Sequence, residues 1–186
     1  MDKKKVLVII DCQNDFIDGS LRNEDAIKAV PNIVKKINDF NGDFIIYTMD
    51  THKGDYLSTN EGKMLPVEHC IKNSDGWKIN KDIREAIEQA EKRGIYVLCV
   101  EKPTFGSTAM AEIFDNDEDF QGNLDIEYVG FCTDICVISN VLMEKAVLYD
   151  RADITVDASC CAGVTPEKHK AALETMKSCQ INVINE

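Results

Sequence analysis

The sequence predicts an α/β fold: a three-layer αβα sandwich built on a doubly wound, mainly parallel sheet of about six strands. Three observations support this prediction. Strand-like and helix-like segments alternate along the chain, the strand-like segments are largely apolar, and several of them end in a charged residue. Such alternation is typical of a parallel sheet that helices cover on both faces. Because no linker, repeat or low-complexity tract interrupts the 186 residues, we expect a single domain over residues 1–186.

The strand-like segments are short and rich in branched apolar residues. They read VLVIID, DFIIYTMD, IYVLCVEK, LDIEYVGF, DITVDAS and INVIN, at residues 6–11, 43–50, 95–102, 124–131, 153–159 and 181–185. Apolar residues recur at helical spacing between them, in residues 26–37, 82–94, 135–150 and 165–176. Two long connections, residues 51–80 and 103–123, are expected to be irregular, and long connections often carry function.

Charge narrows the set of expected partners. The chain has 21 Lys+Arg against 33 Asp+Glu, which gives a formal net charge of −12. Such a surface repels phosphate backbones and anionic membranes, so we expect neither nucleic acid nor a membrane as a partner. The basic N-terminal residues precede an apolar run too short for a signal peptide, and no later run is long enough to cross a bilayer. We therefore expect a cytoplasmic protein.

The eight cysteines do not form the pattern of a disulfide scaffold or a zinc ribbon, since no CxxC occurs. We expect most of them to be small buried hydrophobes, including Cys99 and Cys179 in apolar segments. Cys160 and Cys161 end a strand-like segment and have no assigned role beyond structure. The histidine at 169 lies on a polar helix face, where we expect it to be solvated.

Chemically reactive residues gather where the predicted strands end. Asp11, Asp50, Lys102 and Asp157 lie at or near such ends, and the segment GFCTDICV, residues 130–137, follows another. Binding sites in parallel sheets lie at the carboxyl ends of the strands. Taken singly, such an acid is a turn former, the lysine is a solvated cation, and a cysteine in this segment is a buried hydrophobe. Their joint occurrence favours a catalytic site.

Three of these residues suit a thiol nucleophile if they meet. Cys136 attacks an amide carbonyl as thiolate, which a nearby ammonium from Lys102 and the start of a helix favour. Asp11 would take the thiol proton, pass it to the departing nitrogen and then activate water. The backbone N–H groups of Cys132 and Cys136 would point toward the developing oxyanion.

The combined motifs resemble the isochorismatase-like cysteine hydrolases, the superfamily that includes nicotinamidases. The matching segments are IIDCQNDF, Asp50-Thr51-His52 with His69 further on, EKPTFGST, GFCTDICV and VDASCCAGVTPEKHKAALETM, and they span nearly the whole chain. The resemblance implies Asp11, Lys102 and Cys136 as a catalytic triad and a cis peptide bond between Phe131 and Cys132.

The resemblance also implies a wall for a planar substrate. Phe16, five residues beyond Asp11, would be that stacking wall, with simple core packing as the alternative. Phe105 in the segment TFGST would cover the pocket. Many nicotinamidases have a tryptophan just before the second histidine, where this chain departs from the pattern with Leu65 and Pro66.

A metal site is expected beside the nucleophile. The spacing D-x-H puts Asp50 and His52 on the same side of an extended chain, so both can reach one ion. The resemblance implies Asp50, His52 and His69 as ligands, and Glu61 fits a fourth place better than Asp55. Zinc, iron and manganese all suit this donor set, and no organic cofactor is expected. The alternative is that His52 contacts substrate or backbone without a metal.

These observations predict a cysteine amidohydrolase that releases ammonia from a small planar amide, first of all nicotinamide, through a thioester. Two alternatives stay open: a hydrolase of ureido or carbamoyl compounds, and a catalytically silent small-molecule-binding protein of this fold. An aliphatic ureido acid would need a cationic clamp for its carboxylate. The sequence places Lys53, Lys63 and Lys72 near the expected pocket but no arginine. Formation of a homo-oligomer also stays open.

Overall fold

The computed structural model describes residues 3–186, and its six strands form one parallel sheet. The strands are β1 (Lys4–Ile10), β2 (Phe44–Asp50), β3 (Tyr96–Lys102), β4 (Leu124–Phe131), β5 (Ala152–Ala162) and β6 (Asn182–Ile184). Their order in the sheet is β3-β2-β1-β4-β5-β6, and all neighbouring pairs are parallel. The chain therefore winds outward from β1 in one direction and then from β4 in the other, and the predicted doubly wound fold is confirmed.

Helices cover both faces of this sheet. They are α1 (Asn14–Ile17), α2 (Glu24–Asp39), α3 (Asn60–Met64), α4 (Lys81–Lys92), α5 (Thr108–Asn116), α6 (Ile138–Leu148) and α7 (Pro166–Ser178). Within residues 3–186, none of these helices is both long and apolar enough to cross a lipid bilayer.

The central strand β1 divides the core into two layers. Val6, Val8 and Ile10 face a cluster that contains residues of α5, α6 and α7. Leu7 and Ile9, which alternate with them, face a second cluster that contains residues of α1, α2 and α4. Because successive side chains of a strand point to opposite faces, an apolar run such as β1 is buried on both sides. This pattern explains the continuous apolar sequence of the strand.

The segment after β3 is more regular than the sequence predicted. Residues 103–123 were expected to be irregular, yet they contain the helix α5. The Ser107 hydroxyl accepts a hydrogen bond from the backbone N–H of Met110 at 3.1 Å and so caps the helix. Met110 and Phe114, four residues apart, are buried. This cap and this apolar spacing are the sequence signals of the helix.

Two other boundaries also differ from the prediction. The helix expected over residues 135–150 begins as a π-helical turn, Thr133–Val137, and α6 starts only at Ile138. Strand β5 continues to Ala162, so Asp157 lies within the strand and not at its end. Its carboxylate instead lies 2.6 Å from the ammonium of Lys36 on α2.

The cysteines agree only partly with the expectation of burial. All eight are free thiols. Cys12, Cys70, Cys136, Cys160 and Cys161 are buried, and Cys132 is half-buried. Cys99 and Cys179 are exposed, so the prediction for these two was wrong. Cys99 lies on β3, an edge strand, where helices do not cover both faces completely.

A buried acid lies on the inner face of α6. Glu144 is fully buried, and neither of its carboxylate oxygens has a hydrogen-bond partner among residues 3–186. The hydroxyl of Tyr128 on β4 is likewise buried and unpaired in the described chain. Burial raises the pKa of Glu144 to about 8, so this carboxyl is mainly protonated at neutral pH.

We predict that Glu144→Gln removes a pH-dependent loss of stability. Folded Glu144 keeps its proton up to about pH 8, whereas the unfolded carboxyl releases it near the ordinary glutamate pKa of 4.5. The free energy of unfolding of the wild type should therefore fall as the pH rises between these values, by up to about 1.4 kcal/mol per pH unit. Urea denaturation at several pH values measures how the free energy of unfolding changes with pH in the wild type and in Glu144→Gln. An equal pH dependence in these two proteins would contradict the prediction.

Candidate active site

The four expected reactive residues lie together at the carboxyl edge of the sheet. Asp11 directly follows β1, Asp50 ends β2, Lys102 ends β3, and Cys136 lies in the π-helical turn after β4. The chain reverses its winding direction between β1 and β4, which is where doubly wound sheets open a binding crevice. All four side chains are buried.

Lys102 links the other two members of the predicted triad. Its Nζ lies 2.6 Å from Oδ2 of Asp11 and 3.6 Å from Sγ of Cys136, and it donates to the carbonyl of Thr104 at 2.9 Å. The Thr48 hydroxyl donates to Oδ1 of Asp11 at 2.6 Å. The structure therefore brings Lys102 into direct contact with both Asp11 and Cys136.

Burial and charge set the protonation of this trio. Burial raises the pKa of Asp11, and the neighbouring Lys102 opposes that rise. Burial, with a smaller effect of Asp11, raises the pKa of the Cys136 thiol well above its ordinary value. Burial alone would lower the pKa of Lys102, but the charge of the neighbouring Asp11 outweighs it and raises that pKa. The resting trio therefore holds an ammonium and a neutral thiol.

The backbone is unusual on both sides of the crevice. Asp11 has a positive φ of 47°, a conformation that non-glycine residues rarely adopt. Gly130 has a φ of 121°, and a Cβ there would lie 2.1 Å from the carbonyl oxygen of Ile10, so only glycine fits. The peptide bond between Phe131 and Cys132 is cis, as the resemblance implies.

The π-helical turn that contains Cys136 is held by side-chain contacts that the sequence did not reveal. The Thr133 hydroxyl lies 2.8 Å from Nδ1 of His169, and the Asp134 carboxylate accepts from the N–H of Val164 at 2.8 Å. His169 is half-buried, so the expectation that it is only solvated was wrong. Burial lowers its pKa, which keeps the ring neutral. The turn is thus fastened to the connection between β5 and α7.

A second cluster lies beside the trio. The ligand atoms of Asp50, His52 and His69 lie within 4.8 Å of one another. Oδ2 of Asp50 is 3.0 Å from Nε2 of His52 and 3.5 Å from Nε2 of His69. Oε1 of Glu61 is 3.5 Å and 3.8 Å from the same two nitrogens. The structure therefore brings together all four residues that were expected to hold a metal.

The protonation of this cluster suits a metal ion. Nδ1 of His69 lies 2.9 Å from the carbonyl of Val67, and a proton on Nδ1 would leave Nε2 free to bind an ion. The buried Nε2 of His52 lies 3.0 Å from Oδ2 of Asp50 but makes no well-aligned hydrogen bond in the described chain. Burial disfavours the charged form of Asp50, but contacts with His52, His69 and Lys102 lower its pKa and keep it ionised. Two imidazoles and a carboxylate are a common set for a divalent transition metal.

Two polar side chains near the start of the chain support the cluster. The Gln13 side chain donates to the carbonyl of Asp50 and accepts from its N–H, both at 2.8 Å. The Asp15 carboxylate accepts from the N–H of Cys70 at 2.8 Å, next to His69. Both residues lie in the segment IIDCQNDF, but their contacts are long-range and sequence reasoning did not assign them.

A cavity of about 720 Å³ opens from Cys136 to the surface. Phe16 lines it, is buried, and meets the ring of His69 edge-on with 5.7 Å between the ring centroids. Phe105 also lines it and is 44% exposed, so it lies near the mouth. Both residues of the expected substrate wall thus face this cavity, as does Leu65, which stands where many nicotinamidases have tryptophan.

Two cations line the same cavity. Arg22, in the connection between α1 and α2, and Lys168, in the first turn of α7, both belong to its wall. The expectation that no arginine lies near the pocket was therefore wrong. Nε of Arg22 lies 2.8 Å from the carboxylate of Glu24, and both side chains are exposed. The lysines that the sequence suggested, Lys53, Lys63 and Lys72, are not among the lining residues.

Fold and site together define a three-layer α/β protein with a thiol, an ammonium and a carboxylate in contact at the switch point of its sheet. The chain belongs to the isochorismatase family, whose Isochorismatase domain model matches residues 5–186. This match confirms the family resemblance of the motifs.

Proteins similar to this chain include nicotinamidases and pyrazinamidases. The chain is 25% identical over 211 residues to a nicotinamidase of Schizosaccharomyces pombe, covering 97% of this chain and 92% of that one. The structure is similar to a nicotinamidase/pyrazinamidase from Bacillus subtilis, with a TM-score of 0.83, 26% identity, and coverage of 98% and 100%. It shares its fold with a Pyrococcus horikoshii pyrazinamidase in complex with zinc, with a TM-score of 0.73, 22% identity, and coverage of 98% and 99%.

We predict that the purified chain binds about one divalent ion, because the four ligands converge on one point. His52→Ala and His69→Ala should each weaken Zn²⁺ binding by at least about tenfold, since each removes one donor. Calorimetric titration of chelator-treated protein measures this affinity. His169→Ala is the matched control, since this third histidine contacts Thr133 instead. Equal affinity in all four proteins would rule out the cluster as the metal site.

Proposed function

We propose that this chain is a cysteine-dependent amidohydrolase that releases ammonia from a small planar amide, with nicotinamide, hydrolysed to nicotinate, as the leading candidate. Family membership and the nicotinamidase relatives support a hydrolase that acts on amide bonds. One observation carries the mechanism. The Lys102 ammonium lies between the Asp11 carboxylate, at 2.6 Å, and the Cys136 sulfur, at 3.6 Å.

In this mechanism Asp11 is the base that takes the proton of Cys136. The transfer converts the thiol into a thiolate, which the adjacent ammonium of Lys102 stabilises. Burial raises the pKa of Asp11, so the carboxyl holds the proton until a stronger base is formed. That base is the nitrogen of the substrate amide once its carbonyl has been attacked.

The thiolate of Cys136 adds to the amide carbonyl and forms a tetrahedral intermediate. We assign the backbone N–H groups of Cys132 and Cys136 as donors to its oxyanion. Asp11 then gives its proton to the nitrogen, ammonia leaves, and a thioester to Cys136 remains. A water molecule gives a proton to Asp11 as its oxygen adds to the thioester carbonyl, and the bond to sulfur then breaks and releases the carboxylic acid. Asp11 returns that proton to the departing sulfur, which restores the thiol and the carboxylate.

The residues that would hold a divalent ion are Asp50, His52 and His69, with Glu61 as a fourth. Such an ion, when bound, supplies a borderline Lewis acid that a pyridine nitrogen binds well. The Pyrococcus pyrazinamidase contains zinc, but its similarity shows the fold alone. The metal assignment for this chain therefore rests on its own buried imidazoles and on the ionised carboxylate of Asp50.

The cavity wall favours a planar substrate. The buried ring of Phe16 offers an apolar surface next to His69, and Phe105 offers a second one near the mouth. A flat aromatic amide can pack against such rings. The alternative is a catalytically silent binding protein of this fold. That function would give no reason for Lys102 to be buried against both Asp11 and Cys136.

A second candidate is the hydrolysis of a ureido or carbamoyl acid by the same trio. The observation that favours it is the presence of Arg22 and Lys168 on the cavity wall. A guanidinium binds a carboxylate through two parallel hydrogen bonds, and an ammonium adds a point charge. Both cations are therefore available to bind the carboxylate of a substrate in this cavity.

We predict that Cys136→Ala abolishes ammonia release while the protein stays folded, because no other group can form the thioester. Cys179→Ser is the matched control, since that thiol is exposed and far along the chain from the site. Ammonia release and thermal unfolding of both variants are the measurements. Turnover by Cys136→Ala within about tenfold of the wild type would refute the mechanism, since loss of a nucleophile costs far more.

We predict that the metal-loaded protein has a higher kcat/KM for nicotinamide than for benzamide or an N-carbamoyl amino acid. Benzamide lacks the ring nitrogen, so equal values for the two aromatic amides would show that this nitrogen is not recognised.

Arg22→Ala separates the two candidate functions. It should leave nicotinamide turnover within about twofold, whereas a carbamoyl acid that uses the guanidinium should lose about tenfold or more. A faster reaction of the carbamoyl acid that depends on Arg22 would transfer the assignment to the second candidate.

A further inference from the structure

A buried amide side chain lies one helical turn beyond the nucleophile. Asn140 is fully buried on α6. Its Oδ1 accepts from the N–H of Ser107 at 2.9 Å, and its Nδ2 donates to the carbonyls of Phe105 at 3.1 Å and Cys136 at 2.7 Å. Asparagine is an unfavourable residue in a helix, so helix propensity does not explain its presence. Its three bonds join two separate parts of the site.

The loop that Asn140 holds is residues 103–107, directly after β3. The carbonyl of Thr104 in this loop accepts from the ammonium of Lys102 at 2.9 Å. Phe105 lines the cavity although its side chain is 44% exposed, so packing gives it little support. The position of this loop therefore affects both the ammonium and the cavity wall.

We propose that Asn140 is a positioning residue that fixes the loop 103–107 against the turn of Cys136. Through Thr104 it sets where the Lys102 ammonium stands relative to the sulfur, and through Phe105 it sets the width of the cavity. The inference rests on the proposed function, because it concerns the same nucleophile and the same cavity. A neutral amide is required, since only an amide offers one acceptor and two donors at this place.

Two substitutions of Asn140 remove different sets of its three hydrogen bonds. Asn140→Asp keeps an acceptor for the N–H of Ser107 but loses the donors to two carbonyls and adds a buried charge. Asn140→Leu is close in volume and loses all three bonds. Glu144→Gln is the matched control, because Glu144 lies one turn further on α6, is equally buried and has no bond to the loop.

The experiment measures ammonia release from nicotinamide and, without substrate, alkylation of Cys136 by iodoacetamide. Both rates are normalised to the folded fraction from thermal unfolding. We expect both Asn140 variants to show an increase in KM of about tenfold and a decrease in the alkylation rate of about tenfold. Glu144→Gln should stay within about twofold for both. A role in folding alone predicts less folded protein with unchanged KM and unchanged alkylation, and that result would overturn the proposal.

A double-mutant cycle tests the route to the substrate. In the background of Phe105→Ala, Asn140→Asp should no longer raise KM, because the side chain that it positions is gone, whereas the loss of alkylation should persist. Independent effects of the two substitutions on KM would overturn the route through Phe105.

Hydrogen exchange of the wild type tests the proposal without any substitution. Ser107 is the N-cap residue of α5, so its N–H has no helical partner, and the bond to Asn140 is what protects it. We expect the N–H of Ser107 to exchange at least about a hundredfold more slowly than in a free loop. Exchange at the rate of a free loop would overturn the proposal that Asn140 holds this loop.

A wild type with neither ammonia release nor a reactive Cys136 would overturn the proposed function as well, whereas an active wild type with unaffected variants would overturn the role of Asn140 alone.

Discussion

The rest of the site depends on the ion pair between Lys102 and Asp11. Both side chains are fully buried, and an isolated buried charge is strongly unfavourable, so each one requires the other. A proton that moves from Cys136 to Asp11 leaves the total charge of the trio unchanged, with the thiolate replacing the carboxylate beside the ammonium. In the proposed mechanism, the pair would thus stabilise a thiolate in a place where burial alone disfavours it. Oδ1 of Asp50 lies 3.9 Å from the same ammonium. The Asp50 carboxylate therefore connects the charges of the trio to His52 and His69.

The structure divides chemistry and recognition between strands and loops. Asp11, Asp50 and Lys102 stand at the ends of neighbouring strands, and the register of β2 with β3 places Asp50 directly beside Lys102. Hydrogen bonds across the sheet, such as that from Thr48 to Asp11, restrict the side chains further. Arg22 and Phe105, in contrast, lie on connections between elements. Substrates can therefore change through the loops while the reacting groups stay in place.

Sequence reasoning reached the fold and the trio for one physical reason. Periodicity identifies strands, and in a parallel sheet each strand brings its carboxyl end to the same edge, so residues distant in the chain become neighbours by rule. No such rule predicts which loop side chains meet. Asn140 and His169 contact loop and turn residues that lie more than 30 positions away in the chain, and Arg22 reaches the cavity wall only through the path of its loop. The exposure of Cys99 was missed for a related reason, because an edge strand and a central strand have similar apolar sequences.

The charge distribution along the cavity separates the two candidate substrates. The inner wall near Cys136 includes Asp50 and Glu61, so an anionic group placed there would be repelled unless a cation intervened. The outer wall carries Arg22 and Lys168, and the exposed pair of Arg22 with Glu24 is weak enough for an incoming carboxylate to replace it. A carboxylate-bearing substrate must therefore be held by its outer end. Under the proposed function, a pyridine amide would be held by its inner end, with the ring nitrogen toward the histidines and the ring against Phe16. The reacting thiol is the same in both cases, and the wall that binds the remainder of the molecule decides the specificity.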